Sequence, residues 1–521
     1  MRRILLLLIL LLLSATSPAS AQDAFTNALA GLSGGYGAQA EAVERLGALG
    51  DPRALPILQA LAEGRLQKRA DGALLVEQGG AVREALSGAA ATPGETIRIN
   101  NRVRAALRGA LGRLQLAAPE AAQRRVAAEA LFRSRDAANI QPLEQALARE
   151  TVPDLRDRLA LALAATRLGA PDTTAKQQGI ELLAESGSAE ARAALLEARA
   201  ANPDLAGAIE KAVAAIDRKL ELRRAAETVF QGLSLGSILL LAALGLAVTF
   251  GVMGVINMAH GEMVMLGAYT TVVVQEAVRG IPWLQPWSLP LAVPAAFLVT
   301  AAVGVALERG LIRHLYGRPL ETLLMTFGVG MILQQAVRLI FGAQNQEVVS
   351  PAWMQGTLAL PGGVLVTQNR LWIILFGLLV LALAVAAIRF TRFGLEMRAV
   401  VQNRRIASTM GIRTGRVDAM TFAFGSGIAG MAGVALSQID NVSPNLGTGY
   451  IIDSFMVVVF GGVGSLAGTM IGAFTLGLVN KLLEPWAGAV LAKIAVLVGI
   501  MLFIQRRPKG LFALKGRAAE P

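Results

Sequence analysis

Long runs of apolar residues fill the second part of the 521-residue chain, whereas amphipathic patterns fill the first part. From Thr228 onward, the apolar segments cover approximately 229–250, 258–278, 288–307, 322–341, 371–390, 418–438, 451–463, 465–480 and 487–504. Most of them approach the roughly 20 residues that a membrane-spanning helix needs, although the seventh and eighth are short and interrupted by glycine. The pattern predicts a polytopic membrane helical bundle of about 8–10 spans.

Residues 22–228 are rich in Ala, Leu, Glu and Arg and have apolar positions at helical spacing. Within them, residues 42–58 predict an apolar helix, a Gly-Asp-Pro turn and a second apolar helix, and looser copies cover 126–148 and 179–198. Such units resemble HEAT-type helical repeats, which bury their apolar faces by stacking on their neighbours. The sequence therefore predicts an all-α fold in which a HEAT-like repeat domain, offering a surface to a protein partner, precedes the bundle.

The first 21 residues have the features of a secretory signal peptide. Arg2 and Arg3 precede an apolar stretch over residues 4–13, and a small-residue cleavage site follows at Ala19-Ser20-Ala21. An uncleaved membrane anchor is the alternative, but this stretch is short for about 30 Å of hydrocarbon. Both interpretations place residues 22–228 outside the cytoplasm, in the periplasm of a bacterium.

Charge predicts the orientation of the bundle. Residues 22–228 carry 27 Lys and Arg against 26 Asp and Glu, whereas residues 229–521 carry 20 against 11. Fifteen of those 20 basic residues lie in 309–318, 389–416 and 506–517. Because basic loops remain in the cytoplasm, these three regions are expected inside. With nine membrane crossings, the N-terminal domain is exported and all three basic regions lie in the cytoplasm.

Composition excludes several classes of function. The chain is 54% hydrophobic and 17% charged, contains no cysteine and has two histidines. Disorder, disulfide frameworks and cysteine metal sites are thereby excluded, and little histidine metal chemistry is left. The basic loops lack the interleaved aromatic residues that stack nucleic-acid bases. A phosphate-binding Gly-x-x-x-x-Gly-Lys-Ser/Thr motif is also missing, so this chain is not expected to be an enzyme or to hold a cofactor, and any ATP would be hydrolysed by another subunit.

Polar residues at the ends of apolar segments are candidates for a substrate path. Asn257, His260 and Glu262 lie at the break between the first two segments, where they either line a path or gate, or hold a capped cytoplasmic turn. On the exported side, a second group forms either a substrate mouth or a plain polar loop: Asp440, Asn441 and Asn445. Asp453, near the start of a short apolar span that glycines follow, predicts a broken helix near the pathway.

The basic loop over 392–416 has an amphipathic pattern. Met397, Val400 and Val401 share one helical stripe, and arginines lie elsewhere on the segment. A short amphipathic helix on the cytoplasmic face can dock into a groove of a partner protein. It can also be held by membrane lipid, through anionic headgroups.

Several of these motifs closely resemble the inner-membrane permeases of branched-chain-amino-acid-type ABC importers. The resemblance rests on residues 250–269 (FGVMGVINMAHGEMVMLGAY), on Glu308-Arg309 with Arg318-Pro319-Leu320, on the 392–412 loop, and on Phe460–Ser465 with Gly468. It covers 229–515, the expected transmembrane domain. The signal peptide and the extension of roughly 200 residues look like the urea-transporter branch of that family.

The resemblance implies the function, the location and the partners. The chain would be a multi-pass inner-membrane permease that imports urea or a related short amide. Its partners would be a second permease subunit, two ABC ATPase subunits and an external substrate-binding protein. Contact with the ATPase would involve the 392–416 loop at Glu396, Arg398, Ala399, Asn403, Ala407 and Gly411. A branched-chain amino acid permease, an ion-coupled secondary transporter and a membrane-anchored scaffold are the alternatives.

Overall fold

The computed structural model describes residues 18–69, 71–78 and 81–512. The predicted signal peptide therefore lies almost entirely outside the described residues. The chain divides into two compact units, Met1–Leu222 and Arg223–Pro521. We call them the N-terminal and C-terminal units.

Helices form most of the N-terminal unit. In chain order they are α1 (Pro18–Ala30), α2 (Tyr36–Leu49), α3 (Ala54–Ala62), α4 (Asn101–Gln115), α5 (Ala121–Ser134), α6 (Ile140–Arg149), α7 (Pro153–Arg167), α8 (Thr173–Ser186), α9 (Ala189–Ala201) and the first part of α10 (Ala206–Met253). The three predicted helix–turn–helix segments correspond to α2–α3, α5–α6 and α8–α9. Glycines with positive φ, Gly50 and Gly187, end the first helix of two of these pairs.

The expectation of an all-α fold is wrong for residues 66–96. These residues form a four-stranded antiparallel sheet in the order β3-β2-β1-β4, from β1 (Leu66–Lys68), β2 (Leu74–Gln78), β3 (Ala81–Glu84) and β4 (Glu95–Thr96). Leu66, Leu74 and Val76 pack into the same apolar core as the neighbouring helices. Tertiary burial thus overrides a local composition that favours helix. The glycines around these short strands were the available signal for turns.

A buried ion pair joins α5 to the end of α6. The Arg124 guanidinium donates to both carboxylate oxygens of Glu150, with Nε–Oε2 at 2.8 Å and Nη2–Oε1 at 3.0 Å. The Glu150 side chain is 2% exposed and also accepts from the backbone N–H groups of Thr151 and Val152. The Arg124 hydrogen bonds, more than the other interactions, lower the pKa of Glu150 from 4.5 to about 2. These contacts join consecutive helices of the N-terminal unit.

Long apolar helices form most of the C-terminal unit. After the rest of α10 come α11 (His260–Val278), α12 (Ser288–Gly310), α13 (Pro319–Phe341), β5 (Thr357–Leu360), β6 (Val364–Thr367), α14 (Gln368–Phe390), α15 (Arg392–Gln402), α16 (Arg404–Thr409), α17 (Thr414–Leu436), α18 (Leu446–Gly461) and α19 (Leu466–Arg506). The β5–β6 hairpin lies between predicted spans and is a second departure from an all-α fold.

Six helices among the described residues are long and apolar enough to cross a membrane. They are Pro203–Gly251, Gln285–His314, Pro319–Phe341, Gln368–Phe390, Thr414–Leu436 and Leu466–Arg506. The last contains a non-helical residue at Gly488, with φ 76°, which is the second residue of the predicted segment 487–504. The predicted segments 258–278 and 451–463 correspond to α11 and to the shorter α18. The structure thus gives six candidate spans where the sequence predicted about 8–10.

The helices of the C-terminal unit approach one another through glycine. A Cβ atom built at Gly425 of α17 would lie 2.7 Å from the carbonyl oxygen of Gly245 in α10. One at Gly430 would lie 2.8 Å from the Ala296 carbonyl oxygen in α12. Small residues permit such close backbone contact between membrane helices. On the outer faces, large apolar side chains such as Leu339, which is 87% exposed, provide a surface for lipid.

Candidate functional site

A short break separates α10 from α11. There, the buried Asn257 accepts a hydrogen bond from the Ala259 N–H at 3.0 Å, which caps the turn locally. The backbone N–H of Met258, which lies between Asn257 and Ala259, donates to the Thr326 hydroxyl of α13 at 3.1 Å. The amide nitrogen of the Asn257 side chain is buried without a hydrogen-bond partner among the described residues. Hydrogen bonds from two backbone N–H groups therefore hold the break in place, while the side-chain amide nitrogen of Asn257 remains without an acceptor.

His260 and Glu262 lie in the first turn of α11, next to this break. His260 is fully buried, and its Nε2 lies 2.8 Å from the Ala242 carbonyl oxygen of α10, to which it donates. Its Nδ1 has no partner within the described residues, and neither does the buried Oε2 of Glu262. Asn257, His260 and Glu262 therefore lie within the same break and helix turn, each with one unpaired polar atom, but His260 faces α10 whereas Glu262 lies beside Gly330 of α13. Buried groups left unpaired in this way call for an explanation in the protein's function.

The residues expected at the exported mouth separate into two environments. Asp440 and Asn441 are exposed in the loop between α17 and α18. Asn445 instead accepts hydrogen bonds from Gln334 and Arg338 of α13, at 2.9 and 3.0 Å from its Oδ1. This arginine was not predicted from the sequence, because basic residues were considered there only in the loops and the tail. Its position one turn after a glutamine on the same helix was the available signal.

The expectation for Asp453 needs a correction. Because α18 begins at Leu446 rather than near residue 451, Asp453 lies in the middle of that helix and not near its start. It is nearly buried, and its Oδ2 lies 3.2 Å from Lys493 Nζ in the second half of α19. A lysine paired across two helices neutralises this carboxylate. The broken backbone follows later, at Gly462, where φ is 102°.

The basic loop forms two short helices whose apolar residues pack onto the membrane helices. Met397 and Val400 of α15 and Ala407 of α16 are buried in a cluster with Val248 and Val417. Met397 and Val400 thus share one face, as predicted, but that face packs against the helices of the same chain and is not free for a partner. Ala407, expected to contact the ATPase, instead faces the interior of its own chain.

Other residues of this loop face outward. Glu396, Arg398, Asn403 and Gly411 are exposed and Ala399 is half-buried. The same two helices and the turn after them also carry three exposed apolar side chains, Leu395, Ile406 and Met410, the last 78% exposed. These three were not predicted from the sequence. We call these three the docking residues. Exposed apolar side chains with arginines around them are typical of an interaction surface.

A chain of four groups, of which only Arg404 is exposed, fixes the loop to two long helices. Arg404, at the start of α16, donates from both terminal nitrogens to the carboxylate of Asp418 in α17, with Nη1–Oδ1 at 3.1 Å. The same guanidinium lies over the Tyr316 ring, 4.9 Å from its centroid. The Tyr316 hydroxyl then donates to Glu308 of α12 at 3.2 Å. We call this set the loop anchor.

The loop anchor combines favourable electrostatics with rigidity. Asp418 is 1% exposed, and its bidentate pair with Arg404 fixes both position and angle. These hydrogen bonds raise the pKa of Arg404 above its ordinary value, so the guanidinium stays charged. Burial raises the pKa of Tyr316, which keeps its hydroxyl protonated as the donor to Glu308. Among the residues that the structure describes, no group of three or more His, Asp or Glu side chains could hold a metal ion.

The C-terminal unit has long apolar helices, a break between two of them beside unpaired polar groups, and an anchored amphipathic loop that is rich in arginine. These are the features of a membrane transport permease. The chain belongs to the family described as branched-chain amino acid transport system / permease component, which matches residues 228–505.

Individual relatives cover the same part of the chain. It is 31% identical over 292 residues to the high-affinity branched-chain amino acid transport system permease protein LivH of Salmonella typhimurium, covering 55% of this chain and 94% of the relative. It is 29% identical over 295 residues to BraD of Pseudomonas aeruginosa, with the same two shares. The ribose import permease protein RbsC of Escherichia coli is 27% identical over 205 residues, 37% of this chain and 60% of that protein. No solved structure matches the chain significantly.

Proposed function

We propose that this chain is a permease subunit of an ABC importer in which ATP is hydrolysed on two partner ATPase subunits. The single observation that carries this proposal is the loop anchor, because it joins a surface with exposed docking residues rigidly to α12 and α17. A displacement of the docked loop would then move two long helices. A second permease subunit and an external substrate-binding protein complete the assembly. An ion-coupled secondary transporter would need no such anchored docking loop.

The proposed orientation places residues 22–228 outside the inner membrane and residues 389–416 inside. A signal peptide over 1–21, a HEAT-like exported domain over 22–228 and a transmembrane domain over 229–515 make up this arrangement. Supporting it are the three helix–turn–helix pairs of the N-terminal unit and the basic residues of the loop.

Because the chain has no cysteine, single cysteines can test this orientation. Gln177 and Ser408 are both exposed, the first on α8 and the second on α16. An impermeant thiol reagent applied from outside should label Gln177→Cys and spare Ser408→Cys until the membrane is opened. The reverse pattern would refute the orientation.

The substrate that we propose is urea or a related short amide. Asn257, with its free amide nitrogen, and His260, with its free ring nitrogen, offer a donor and an acceptor at the α10–α11 break. A neutral solute that forms hydrogen bonds needs such groups and no fixed countercharge. In contrast, the Asp453–Lys493 pair satisfies its own charges. We assign the path or gate to Asn257, His260 and Glu262, and the outer mouth to Asp440, Asn441 and Asn445.

A branched-chain amino acid is the second candidate substrate. The printed names of LivH and BraD state that use for those relatives. In this chain, Arg338 beside Asn445 supplies a guanidinium that could hold a carboxylate.

Uptake by the full complex separates the two substrates. Vesicles holding both permeases, the ATPases and the native binding protein would be given radiolabelled urea or leucine. We expect ATP-dependent urea uptake that short amides compete with, and no uptake of leucine. Leucine uptake at least as strong as urea uptake would assign this chain to amino acid transport. A complex without ATPase activity, obtained by changing the ATPase subunits, is the control.

A further inference from the structure

A cavity of about 420 Å³ lies where α14 begins and α17 ends, beside the loop that joins α13 to α14. The proposed orientation places this cavity on the exported side, and we call it the outer cavity. Its volume falls in the range that small-molecule sites occupy. The polar residues that line it are Glu347, Thr367, Asn369, Arg370, Ser437, Gln438, Asp440 and Asn441.

Hydrogen bonds hold the walls of the outer cavity in place. Gln346 and Val442 exchange backbone hydrogen bonds of 2.8 and 2.9 Å, which join the α13–α14 loop to the α17–α18 loop. Asn369, at the start of α14, donates from its side chain to the Gln438 carbonyl oxygen at 3.3 Å. Three segments that are far apart in sequence are therefore tied together around the cavity. A site built in this way loses little freedom when a ligand binds.

Two side-chain atoms in these walls lack partners. Gln438 is 6% exposed, and its amide nitrogen donates to the Ser437 hydroxyl at 3.2 Å, while its Oε1 is buried without a hydrogen bond among the described residues. The Thr367 hydroxyl is buried and unpaired in the same sense. Both atoms have almost no accessible surface, so a ligand in the cavity reaches them once the side chain that carries them rotates. A buried acceptor left without a donor is costly, and a ligand N–H then removes that cost.

The charged residues of the outer cavity show which ligand it favours. The carboxylates of Glu347 and Asp440 provide hydrogen-bond acceptors in addition to the unpaired Gln438 oxygen. In Asp440, one oxygen accepts from the Asn441 N–H at 2.8 Å and the other does not. Arg370, half-buried, supplies guanidinium N–H donors. The lining of the cavity thus includes two carboxylates, one unpaired amide oxygen and one guanidinium. The complementary ligand carries many N–H donors and a single carbonyl.

We propose that the outer cavity binds a small amide with more N–H donors than acceptors, of which urea is the simplest. The N–H groups of the ligand pair with Gln438, Asp440 and Glu347, and its carbonyl accepts from Arg370. This assignment rests on the proposed function for the class of ligand, whereas the site itself rests on the cavity and its unpaired atoms. It would be the position at which solute first meets the permease.

Ligand protection of a single cysteine tests this site in the assembled complex. Asn441 is exposed and lines the cavity, so Asn441→Cys is placed in the cysteine-free chain and its modification by an impermeant maleimide is timed. Urea below about 0.1 M, where its denaturing effect is small, should slow the modification about tenfold. Acetamide should also protect, and leucine should not. Gln177→Cys, on the other unit, controls for any direct effect of urea on thiol reactivity.

Second-site variants make the test specific. Adding Gln438→Leu to Asn441→Cys should raise the urea concentration for half protection about tenfold, which corresponds to about 1.4 kcal/mol. Gln344→Leu, an equivalent change at an exposed residue of the α13–α14 loop, should leave it unchanged. Protection by leucine rather than urea would overturn the assigned chemistry. Urea uptake by the complex without protection of Asn441→Cys would refute the site and leave the proposed function intact. Protection by urea without urea uptake would support the site and refute the proposed function.

Discussion

Breaking the loop anchor from its two ends should have unequal consequences. Asp418 is 1% exposed, whereas the Arg404 side chain is 46% exposed. Asp418→Asn leaves a guanidinium that water and the Tyr316 ring can still stabilise. Arg404→Gln leaves a buried carboxylate without its partner, and no solvent reaches it.

The structure sets the magnitudes. Removing one partner of a buried pair and leaving the other charged and buried costs about 3–5 kcal/mol, which is the expected loss for Arg404→Gln. Losing hydrogen bonds to a charged group that can still be solvated costs about 1–3 kcal/mol, which is the expected loss for Asp418→Asn. The double variant removes both charges, so it should be more stable than Arg404→Gln alone. Its loss should be well below the sum of the two single losses.

Thermal inactivation of the detergent-solubilised complex provides the assay, with urea-stimulated ATP hydrolysis as the second measurement. We expect Asp418→Asn to insert and to keep basal ATPase activity while the stimulated part falls, because the loop is no longer held to α17. Arg404→Gln should lower the inactivation temperature most. If Arg404→Gln is no less stable than Asp418→Asn, or if the two losses simply add, the asymmetry inferred from burial is wrong.

Three further predictions concern other parts of the chain. Gly411→Asp should preserve insertion and abolish uptake, because Gly411 has φ 87°, whereas Gly415→Asp, in an open helical position, adds the same charge and should retain uptake. Gly477→Ala should cost about 1–3 kcal/mol in thermal stability, since its Cβ would lie 2.6 Å from a backbone atom of α10, and Gly499→Ala in open space should be neutral. Glu150 has a folded pKa of about 2, below 4.5, so its stabilisation is complete above pH 4.5 and is lost as pH falls toward 2. Glu150→Gln should flatten that acid loss in circular dichroism titrations.

The long-range pattern of apolar residues predicted the helices well, and it failed where tertiary contacts decide. The nine apolar segments all fall in helices, because a segment of about 20 apolar residues has few alternatives to a helix. The strands over 66–96 could not be predicted in this way. Their residues are ordinary helix formers, and packing of Leu66 and Val76 against the helical core holds them extended.

Within the candidate site, sequence could identify residues but not their pairing. Asn257, His260 and Glu262 were found because they interrupt apolar runs, but the sequence did not show that His260 faces α10 and that Glu262 lies beside α13. The Arg404–Asp418 pair was missed, because nothing in the order of residues says which arginine of a basic loop reaches a buried carboxylate. Lys493 was missed for the same reason, being 40 residues from its partner Asp453.

The glycine contacts between helices also constrain how relatives of this chain can diverge. At an ordinary apolar contact, a larger side chain on one helix can be offset by a smaller one on its neighbour. At Gly425 and Gly430 the nearest atoms belong to the side chains of Thr249 and Thr300, but a backbone carbonyl oxygen also lies within 2.8 Å of each built Cβ atom, and no substitution in the opposing helix can remove that oxygen. A substitution at such a glycine therefore cannot be offset by a second substitution in the neighbouring helix. Across related permeases we expect these glycines to stay fixed while the lipid-facing residues around them change freely.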